Sequence, residues 1–315
     1  MSQNERIARL YRRVFQIRRV EEEIIRVYDT DVIKSPVHLS IGQEAPAVAV
    51  CDHLKREDVL YGTYRGHAIY LAKGGDLHRM ISELYGKKGG FARGKAGSMH
   101  LGDMSVNMIG TSAIVATSLP NALGHAFALK QQNSSAIVTV FFGDGAMEEG
   151  VFHETINFAA LKCLPLLFVC ENNKYAIYSK LSDRVAVDDF CSRAENYGVS
   201  AERVSSGDIL EMSDAAGAAI ERVRAGDGPQ FVELHTSRWR DHVGPGEDRH
   251  IGYRTDAELD EAISKDQVAR LADMLDHKTR NLIEAAVEAD IAAAIQAAEQ
   301  SEFPDAEVMY SNVYQ

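Results

Sequence analysis

FFGDGAMEEGVFHETINFAALKCLPLLFVCENNKYAIYS, at residues 141–179, carries the strongest structural signal in the chain. Two apolar runs without polar alternation, AIVTVFF at 136–142 and LPLLFVCE at 164–171, are typical of strands that are buried on both faces. Residues 146–162 between them are predicted to form a helix. A strand, a helix and a strand in this order predict a right-handed crossover within a parallel sheet.

The same alternation extends through the rest of the chain. A third apolar strand, PQFVELHT at 229–236, follows two helical patterns, and residues 4–29 have a helical apolar stripe that Glu21 interrupts. Further helices are predicted at 43–53, 76–85, about 114–131, 187–197, 208–225 and beyond 257, and mostly loop at 87–112. We therefore expect one α/β domain over residues 1–315, a parallel sheet flanked by helices with an N-terminal helix and a C-terminal helical extension.

Composition excludes several classes of protein. The formal net charge is −12 and no Lys/Arg-rich tract is present, which argues against nucleic acid as a main partner. The charged N-terminus has no signal-peptide core, and no apolar run approaches the roughly 20 residues that span a bilayer. The four cysteines lack Cys-x-x-Cys spacing and are expected to be thiols of a reducing compartment. We therefore expect a cytoplasmic protein without a membrane partner.

Polar residues follow two of the predicted strands at the point where each strand ends. Asp144 lies in a Gly-Asp-Gly turn, and Asn173 lies in an Asn-Asn pair. Ligands of open parallel sheets bind beyond the carboxyl ends of the strands, where these two turns are expected to lie side by side. A Gly-Asp-Gly by itself is more typical of a plain strand–turn–helix with a capping aspartate than of a ligand site.

Together the two turns suit a diphosphate that is bridged by Mg²⁺. The carboxylate of Asp144, the amide oxygen of Asn173 and the backbone carbonyl of Tyr175 are oxygen ligands of the kind that Mg²⁺ prefers. The glycines allow a tight turn, and the N–H groups that begin the helix at Ala146 can bind a phosphate.

The spacing of GDG and NN, with residues 146–171 between them, resembles the thiamine-diphosphate motif. Three further segments agree in the same order: VHLSIGQEA (37–45), TYRGHA (63–68) and GKKGGFARGKAGSMHL (86–101). Over essentially its whole length the chain resembles the α subunit of the thiamine-dependent decarboxylating component of 2-oxo acid dehydrogenase complexes. That family of oxidoreductases includes the pyruvate, branched-chain and acetoin enzymes.

The resemblance implies the thiamine-diphosphate-binding, diphosphate-domain fold and an assembly. A separate β subunit would carry the pyrimidine-binding domain, and the cofactor would lie between the subunits of an α2β2 heterotetramer. By resemblance, Asp144, Asn173 and the Tyr175 carbonyl bind Mg²⁺, while Gly145 and Ala146 offer N–H groups to the diphosphate. The glutamate that activates the aminopyrimidine belongs to the β subunit, so this chain alone is expected to be inactive.

Four more residues are assigned to the cofactor by resemblance. Tyr64 and Arg65 match a Tyr-Arg pair of the family, and Arg65 would contact a phosphate, which suits a guanidinium. Ala113 and Val115 match positions whose backbone contacts the aminopyrimidine ring. The family often has glycine where this chain has Ala113.

Histidines are the expected catalytic groups because they exchange protons near neutral pH. His38 matches a family histidine that points at the substrate. His242 matches the histidine of a mobile loop near the diphosphate and the substrate. His100, in GSMH, is a further candidate for which a surface or core role is equally open.

The resemblance implies decarboxylation of a 2-oxo acid, with pyruvate as the expected substrate, and transfer of the acyl unit to the lipoyl group of an acyltransferase component. The loop RWRDHVGPGEDRHIGYRT, 238–255, departs from the family pattern, because Asp241 replaces a glycine and Val243 replaces a serine that is phosphorylated in mitochondrial relatives. This difference leaves open an acetyl transfer to a small carbonyl acceptor, such as a sugar nucleotide. A non-catalytic regulatory subunit is a third alternative, against which the intact site residues argue.

Overall fold

The computed structural model describes residues 2–312; Met1 and residues 313–315, which the single-domain prediction includes, lie outside the described residues. The centre is a parallel sheet of six strands in the order β2-β1-β3-β4-β8-β7, and β5 pairs with β6 in a separate antiparallel hairpin. In chain order the strands are β1 (Val59–Thr63), β2 (Met108–Ser112), β3 (Val138–Gly143), β4 (Leu166–Asn172), β5 (Tyr175–Ala176), β6 (Ser179–Lys180), β7 (Ser200–Val204) and β8 (Gln230–His235).

Helices cover both faces of the sheet. In chain order they are α1 (Gln3–Tyr28), α2 (Glu44–Cys51), α3 (His67–Lys73), α4 (Leu77–Leu84), α5 (Ser118–Gln131), α6 (Gly150–Leu161), α7 (Leu181–Arg184), α8 (Phe190–Glu195), α9 (Ile209–Ala225), α10 (Asp256–Ser264), α11 (Gln267–Asp273) and α12 (His277–Gln300). Short 3-10 segments occur at Met104–Val106, Asp144–Glu148, Arg249–Ile251 and Ala306–Tyr310. One core contains residues of α1, α2, α9 and α12, and the other contains residues of α5, α6 and α8.

The two cores explain why the central strands are apolar without alternation. In β3, Val140 and Phe142 face the core beneath α5 and α6, while Phe141 faces the opposite core. In β4, Phe168 and Val169 divide in the same way. Because both faces are buried, every position of these strands favours an apolar side chain, and the prediction of a parallel α/β sheet is confirmed.

Three strands of the main sheet were not predicted. β2 falls within 87–112, which was predicted to be mostly loop, and that prediction is wrong for Met108–Ser112. β2 and β7 are the edge strands and carry polar or small residues that weaken the apolar signal. β1 is interior but short, and its Gly62 leaves room for Ile69, whose Cδ1 lies 2.0 Å from where a Cβ would be.

Two predicted helices begin later than expected. The pattern at 146–162 begins as the 3-10 segment Asp144–Glu148, and α6 starts only at Gly150. The pattern at 114–131 becomes α5 only at Ser118. In both cases the residues between the preceding strand and the helix form a turn at the carboxyl edge of the sheet. The regular helix starts only after that turn.

The Gly-rich loop after α4 is organised by one buried carboxylate. Glu83 Oε2 accepts hydrogen bonds from the N–H groups of Ala92 at 2.9 Å and Gly94 at 3.0 Å. Its Oε1 accepts from Ala96 at 2.7 Å and Gly97 at 3.3 Å. Both glycines have positive φ, which a side chain would disfavour, so the loop can wrap closely around the carboxylate.

Glu21, the residue that interrupts the apolar stripe of α1, is a fully buried anchor. Its two carboxylate oxygens accept from the N–H of Ser40 at 2.8 and 2.7 Å. Its Oε1 also lies 3.1 Å from His67 Nδ1, and His67 Nε2 lies 2.8 Å from Ser98 Oγ. The carboxylate therefore ties α1 to α3, to the Gly-rich loop and to the segment that carries His38.

No helix within residues 2–312 is long and apolar enough to cross a membrane. All four cysteines are unpaired; Cys51 and Cys170 are buried, and Cys163 is exposed.

We expect Glu21→Gln to lower the free energy of unfolding by about 1–3 kcal/mol, because an amide offers one acceptor oxygen where the carboxylate offers two. Urea denaturation of the purified protein measures this loss. Glu22→Gln is the matched control, since Glu22 is partly exposed and should change stability by less than about 0.5 kcal/mol. Equal effects of the two changes would contradict the anchoring role.

Candidate active site

A cavity of about 340 Å³ lies at the carboxyl ends of β1, β3 and β4. β2 lies on one side of β1 and β3 lies on the other. The connection that leaves β1 therefore runs toward one edge of the sheet, and the connection that leaves β3 runs toward the opposite edge. This switch point is where open parallel sheets bind ligands, because the turns that leave the two strands diverge and open a crevice. The loop at 238–242 closes the cavity through Arg238 and His242.

Most of the sequence-predicted cofactor residues line this cavity. They are Tyr64, Arg65, Val115, Asp144, Gly145, Ala146, Asn173, Tyr175 and His242. Ala113 is partly buried and is not among the lining residues, so its contact with the aminopyrimidine stays a prediction. His38 lies behind the lining against Tyr64 and His242, whereas His100 is exposed and outside the cavity.

The turn after β4 is fixed by its two asparagines. Asn173 Nδ2 donates to Gln43 Oε1 at 2.9 Å, while Asn173 Oδ1 accepts from the Tyr175 N–H at 3.0 Å. Asn172 Nδ2 donates to the buried Glu233 at 2.7 Å, and Asn172 Oδ1 accepts from the Lys174 N–H at 3.0 Å. Each asparagine thus bonds the backbone two residues ahead, which holds the turn in one conformation.

The donor set at the two turns fits Mg²⁺. A carboxylate, an amide oxygen and a backbone carbonyl are hard oxygen donors, from Asp144, Asn173 and Tyr175. Within residues 2–312 no group of three or more His, Cys, Asp or Glu side chains is arranged to hold a metal, so the fit is to an ion that takes other ligands from phosphate and water.

The turn after β3 also fits a diphosphate. A Cβ at Gly145 would lie 3.1 Å from Ala176 Cβ, so the backbone can approach this closely only because the residue is glycine. Gly145 and Ala146 border the cavity at the start of the 3-10 segment, where N–H groups lack helical partners and suit an anion.

Arg65 is a buried cation at the same end of the cavity. It donates to the Leu39 carbonyl at 2.6 Å and to the His242 carbonyl at 3.2 Å. Burial, with a contribution from the nearby charge of Arg238, lowers the pKa of Arg65 to about 10, so the Arg65 guanidinium is still charged near neutral pH. Two buried positive charges favour a strongly anionic group beside them.

Three rings form one cluster beside the cavity. The centroid of His38 lies 4.5 Å from that of Tyr64 and 5.2 Å from that of His242, and the last two lie 5.7 Å apart. His38 Nδ1 is buried behind the cavity lining and has no hydrogen-bond partner among the described residues.

Both histidines are neutral near pH 7. Burial, together with the positive charge of Arg65, lowers the pKa of His38 to about 3 and that of His242 to about 4. His242 Nδ1 faces Arg65 at 3.5 Å and Arg238 at 3.3 Å, and both are donors. Nδ1 therefore accepts, and the neutral ring of His242 carries its proton on Nε2.

The loop that carries His242 is held at several points. Arg238 donates to the Ile177 carbonyl at 3.1 Å and to Tyr253 Oη at 2.7 Å. Asp241 accepts from Tyr178 Oη at 2.7 Å and from the N–H of His242 at 2.6 Å. The residue that replaces the family glycine therefore anchors the loop to the β5–β6 hairpin.

Sequence reasoning missed several residues at the site. Gln43 and Arg238 lie in segments that were already quoted for the resemblance, VHLSIGQEA and 238–255, but neither was assigned a role. Glu171 lines the cavity, and burial raises its pKa to about 7 against the opposing charge of Arg65. Arg184, which pairs with Asp144 and Glu148, lies in no motif and has no sequence signal.

Comparison with known proteins gives a consistent result. The model of the dehydrogenase E1 component family matches residues 12–307. The chain is 35% identical over 310 residues to the α subunit of an acetoin:2,6-dichlorophenolindophenol oxidoreductase of Bacillus subtilis, covering 97% of this chain and 92% of that one. The corresponding subunit of Cupriavidus necator is 34% identical over 317 residues, 98% of this chain and 94% of that one. A mitochondrial pyruvate dehydrogenase E1 component α subunit of Pan troglodytes is 32% identical over 300 residues, 94% of this chain and 75% of that one.

We expect neither His38 nor His242 to gain a proton between pH 8 and pH 6 in the folded protein, because their pKa values are about 3 and about 4. Histidine hydrogen–deuterium exchange read by mass spectrometry measures each pKa, and the same peptides in urea should titrate near 6.5. Since the unfolded chain binds more protons between about pH 6.5 and 4, the free energy of unfolding should fall as pH is lowered through that window. A folded-state pKa above 6 at either residue would contradict the buried, neutral cluster.

Proposed function

The chain belongs to the dehydrogenase E1 component family, and we propose from this that it is the α subunit of a thiamine-diphosphate-dependent enzyme that decarboxylates a 2-oxo acid. The expected acid is pyruvate, and the acyl unit is passed to a lipoyl acceptor. The observation that carries the proposal is the cavity at the β1/β3 switch point, which gathers Asp144, Asn173, Arg65 and His242.

The chain's own residues bind the diphosphate end of the cofactor. In the proposal, Asp144, Asn173 and the Tyr175 carbonyl bind Mg²⁺, and the N–H groups of Gly145 and Ala146 bind phosphate oxygens. Arg65 supplies a fixed positive charge that favours the same phosphates. When bound, thiamine diphosphate supplies an electron sink for the cleavage of the bond to the carboxylate carbon.

The ring cluster orients the substrate. His242 offers an Nε2–H donor because two guanidinium groups hold its Nδ1 as an acceptor. His38 packs against Tyr64 and His242 behind the lining, and its unpartnered Nδ1 would meet the substrate once the ring turns toward the cavity. Neutral imidazoles can both donate and accept a hydrogen bond, so the pair can hold a carboxylate or carbonyl oxygen and move a proton at that oxygen.

A second subunit completes the site in this proposal. Three apolar side chains at the cavity are strongly exposed: Ile114 by 69%, Val115 by 46% and Ile177 by 52%. An exposed apolar rim around a polar cavity is typical of a surface that another chain covers. A β subunit in an α2β2 heterotetramer would bury this rim and enclose the other end of the cofactor.

A second candidate function rests on the loop. Asp241 is anchored to Tyr178 at the edge of the cavity, a contact that a glycine could not make. A loop held in this way changes the path by which an acceptor reaches the site. The alternative is therefore an acetyl transfer from pyruvate to a small carbonyl acceptor such as a sugar nucleotide.

The test of function uses the chain assembled with its β subunit, thiamine diphosphate and Mg²⁺. Pyruvate is added together with a free lipoyl domain, and acylation of the lipoyl domain is measured by mass; acetoin replaces pyruvate in a parallel reaction. Acylation from pyruvate is the expected result. Carbon dioxide release without acylation would favour the carbonyl acceptor, and no turnover of pyruvate, whether or not acetoin reacts, would reject the proposed function.

We expect Asp144→Asn to weaken binding of Mg²⁺ with thiamine diphosphate on the order of 100-fold, about 2.7 kcal/mol, because it removes the charged ligand. Isothermal titration calorimetry of the assembled protein measures the affinity. Asp188→Asn is the matched control, since Asp188 is exposed and outside the cavity. Unchanged affinity in Asp144→Asn would show that the metal binds elsewhere.

A further inference from the structure

We propose that Arg184 is an internal competitor of the divalent cation for the Asp144 carboxylate, so that the cation binds well only together with a diphosphate. The inference rests on the proposed function, in which Asp144 is a ligand of Mg²⁺. It concerns a residue outside all the motifs of the sequence, and it assigns Arg184 a role in controlling how the site is loaded.

The guanidinium of Arg184 lies beside the Gly-Asp-Gly turn. Nη2 donates to Asp144 Oδ2, Nη1 donates to Glu148 Oε1, and Nε donates to the Ser179 carbonyl at 3.1 Å. Its side chain is only 11% exposed. A Cβ built on Gly145 would lie 3.9 Å from Nη1, which places the guanidinium against the backbone that borders the cavity.

Asp144 requires a positive partner in this position. The residue is 1% exposed, and burial raises the pKa of its carboxyl group, while the charge of Arg184 opposes that rise. An ionised carboxylate that is removed from water needs a cation or several donors nearby. Arg184 meets this need in the structure and a divalent cation would meet it at the same carboxylate, and two cations close to one carboxylate repel each other.

The segment that carries Arg184 is suited to moving away. α7 has four residues, and its backbone is tied by the Leu181 N–H to the Lys174 carbonyl at 2.8 Å and by the Val185 N–H to the Leu181 carbonyl at 3.1 Å. The residues around Arg184 are mostly exposed, and Val187 packs so little that 66% of it is exposed. Leu181 holds α7 in the core, but the residues next to Arg184 are exposed or half-buried, so its side chain can turn toward solvent while Leu181 stays in place.

The exchange favours a metal that arrives with its diphosphate. A cation without diphosphate must displace Arg184, and it gains as ligands only the Asp144 carboxylate and neutral oxygen atoms. A cation that comes with a diphosphate brings negative charge, which the displaced guanidinium, Arg65 and the N–H groups of the turn can neutralise. Arg184 thus couples binding of the metal to binding of the diphosphate.

The first test measures binding of Mn²⁺ alone, by the electron paramagnetic resonance of the free ion, to the assembled protein without cofactor. Mn²⁺ replaces Mg²⁺ because it takes the same oxygen ligands. Arg184→Gln is expected to bind Mn²⁺ roughly tenfold more tightly than the wild type, because the competing charge is gone. Arg184→Lys keeps the charge and should stay close to the wild type, and so should the matched control Arg222→Gln, which makes the same charge change on α9 outside the cavity.

Equal or weaker binding of Mn²⁺ by Arg184→Gln would overturn the inference, and so would equally tight binding by Arg184→Lys. A wrong assignment of the metal site can be told apart from a wrong role for Arg184. If the metal site is wrong, the wild type and Asp144→Asn will bind Mn²⁺ with the same affinity in the presence of inorganic diphosphate. A second measurement needs no variant at Arg184. Adding Mn²⁺ and inorganic diphosphate to the wild type should speed hydrogen exchange at the Val185 amide as α7 loosens, and unchanged exchange there would also overturn the inference.

Discussion

The parallel pairing of β3 with β4 is the constraint on which the site depends. Gly143 pairs with Glu171 at the ends of these strands, so the turns that follow must emerge at the same edge of the sheet. Asp144 from the first turn and Asn173 from the second therefore line the same cavity, and no direct contact between the two side chains is needed to bring them there. The apolar packing on both faces of the sheet fixes this register, since a slip by one residue would exchange the side chains of the two cores.

Around that edge, buried polar groups divide into those that are satisfied and those that are left free. The carboxylates of Glu21 and Glu83 accept hydrogen bonds from backbone N–H groups, and that of Glu233 accepts one from the side chain of Asn172. These bonds fix the chain segments that surround the site. His38 retains an atom without a partner inside the cavity wall. The protein thus uses carboxylates whose oxygens are hydrogen-bonded to hold the segments around the site in place.

Local signals predicted three of the four interior strands of the main sheet, and they missed the short interior strand β1 and both edge strands. β3, β4 and β8 were predictable because strands buried on both faces must be apolar, and Asp144 and Asn173 were predictable because they follow such strands directly. β2 and β7 lie at the edges, where one side of the strand tolerates polar residues, so no pattern marked them. Arg184 contacts Asp144, and Gln43 contacts Asn173. The partners in each pair are far apart in the sequence, so no local periodicity could predict these contacts. Asp241 was noticed as a departure from a family pattern, but its bond to Tyr178 depends on how the hairpin and the loop meet in space.

The exposed apolar rim formed by Ile114, Val115 and Ile177 has a consequence for the lifetime of the holoenzyme. In the proposed assembly, a subunit that covers this rim would also close the open side of the cavity that holds the cofactor. The cofactor is then released only as fast as the subunits separate, so its residence time is set by an interface between two chains and not by the phosphate contacts within one.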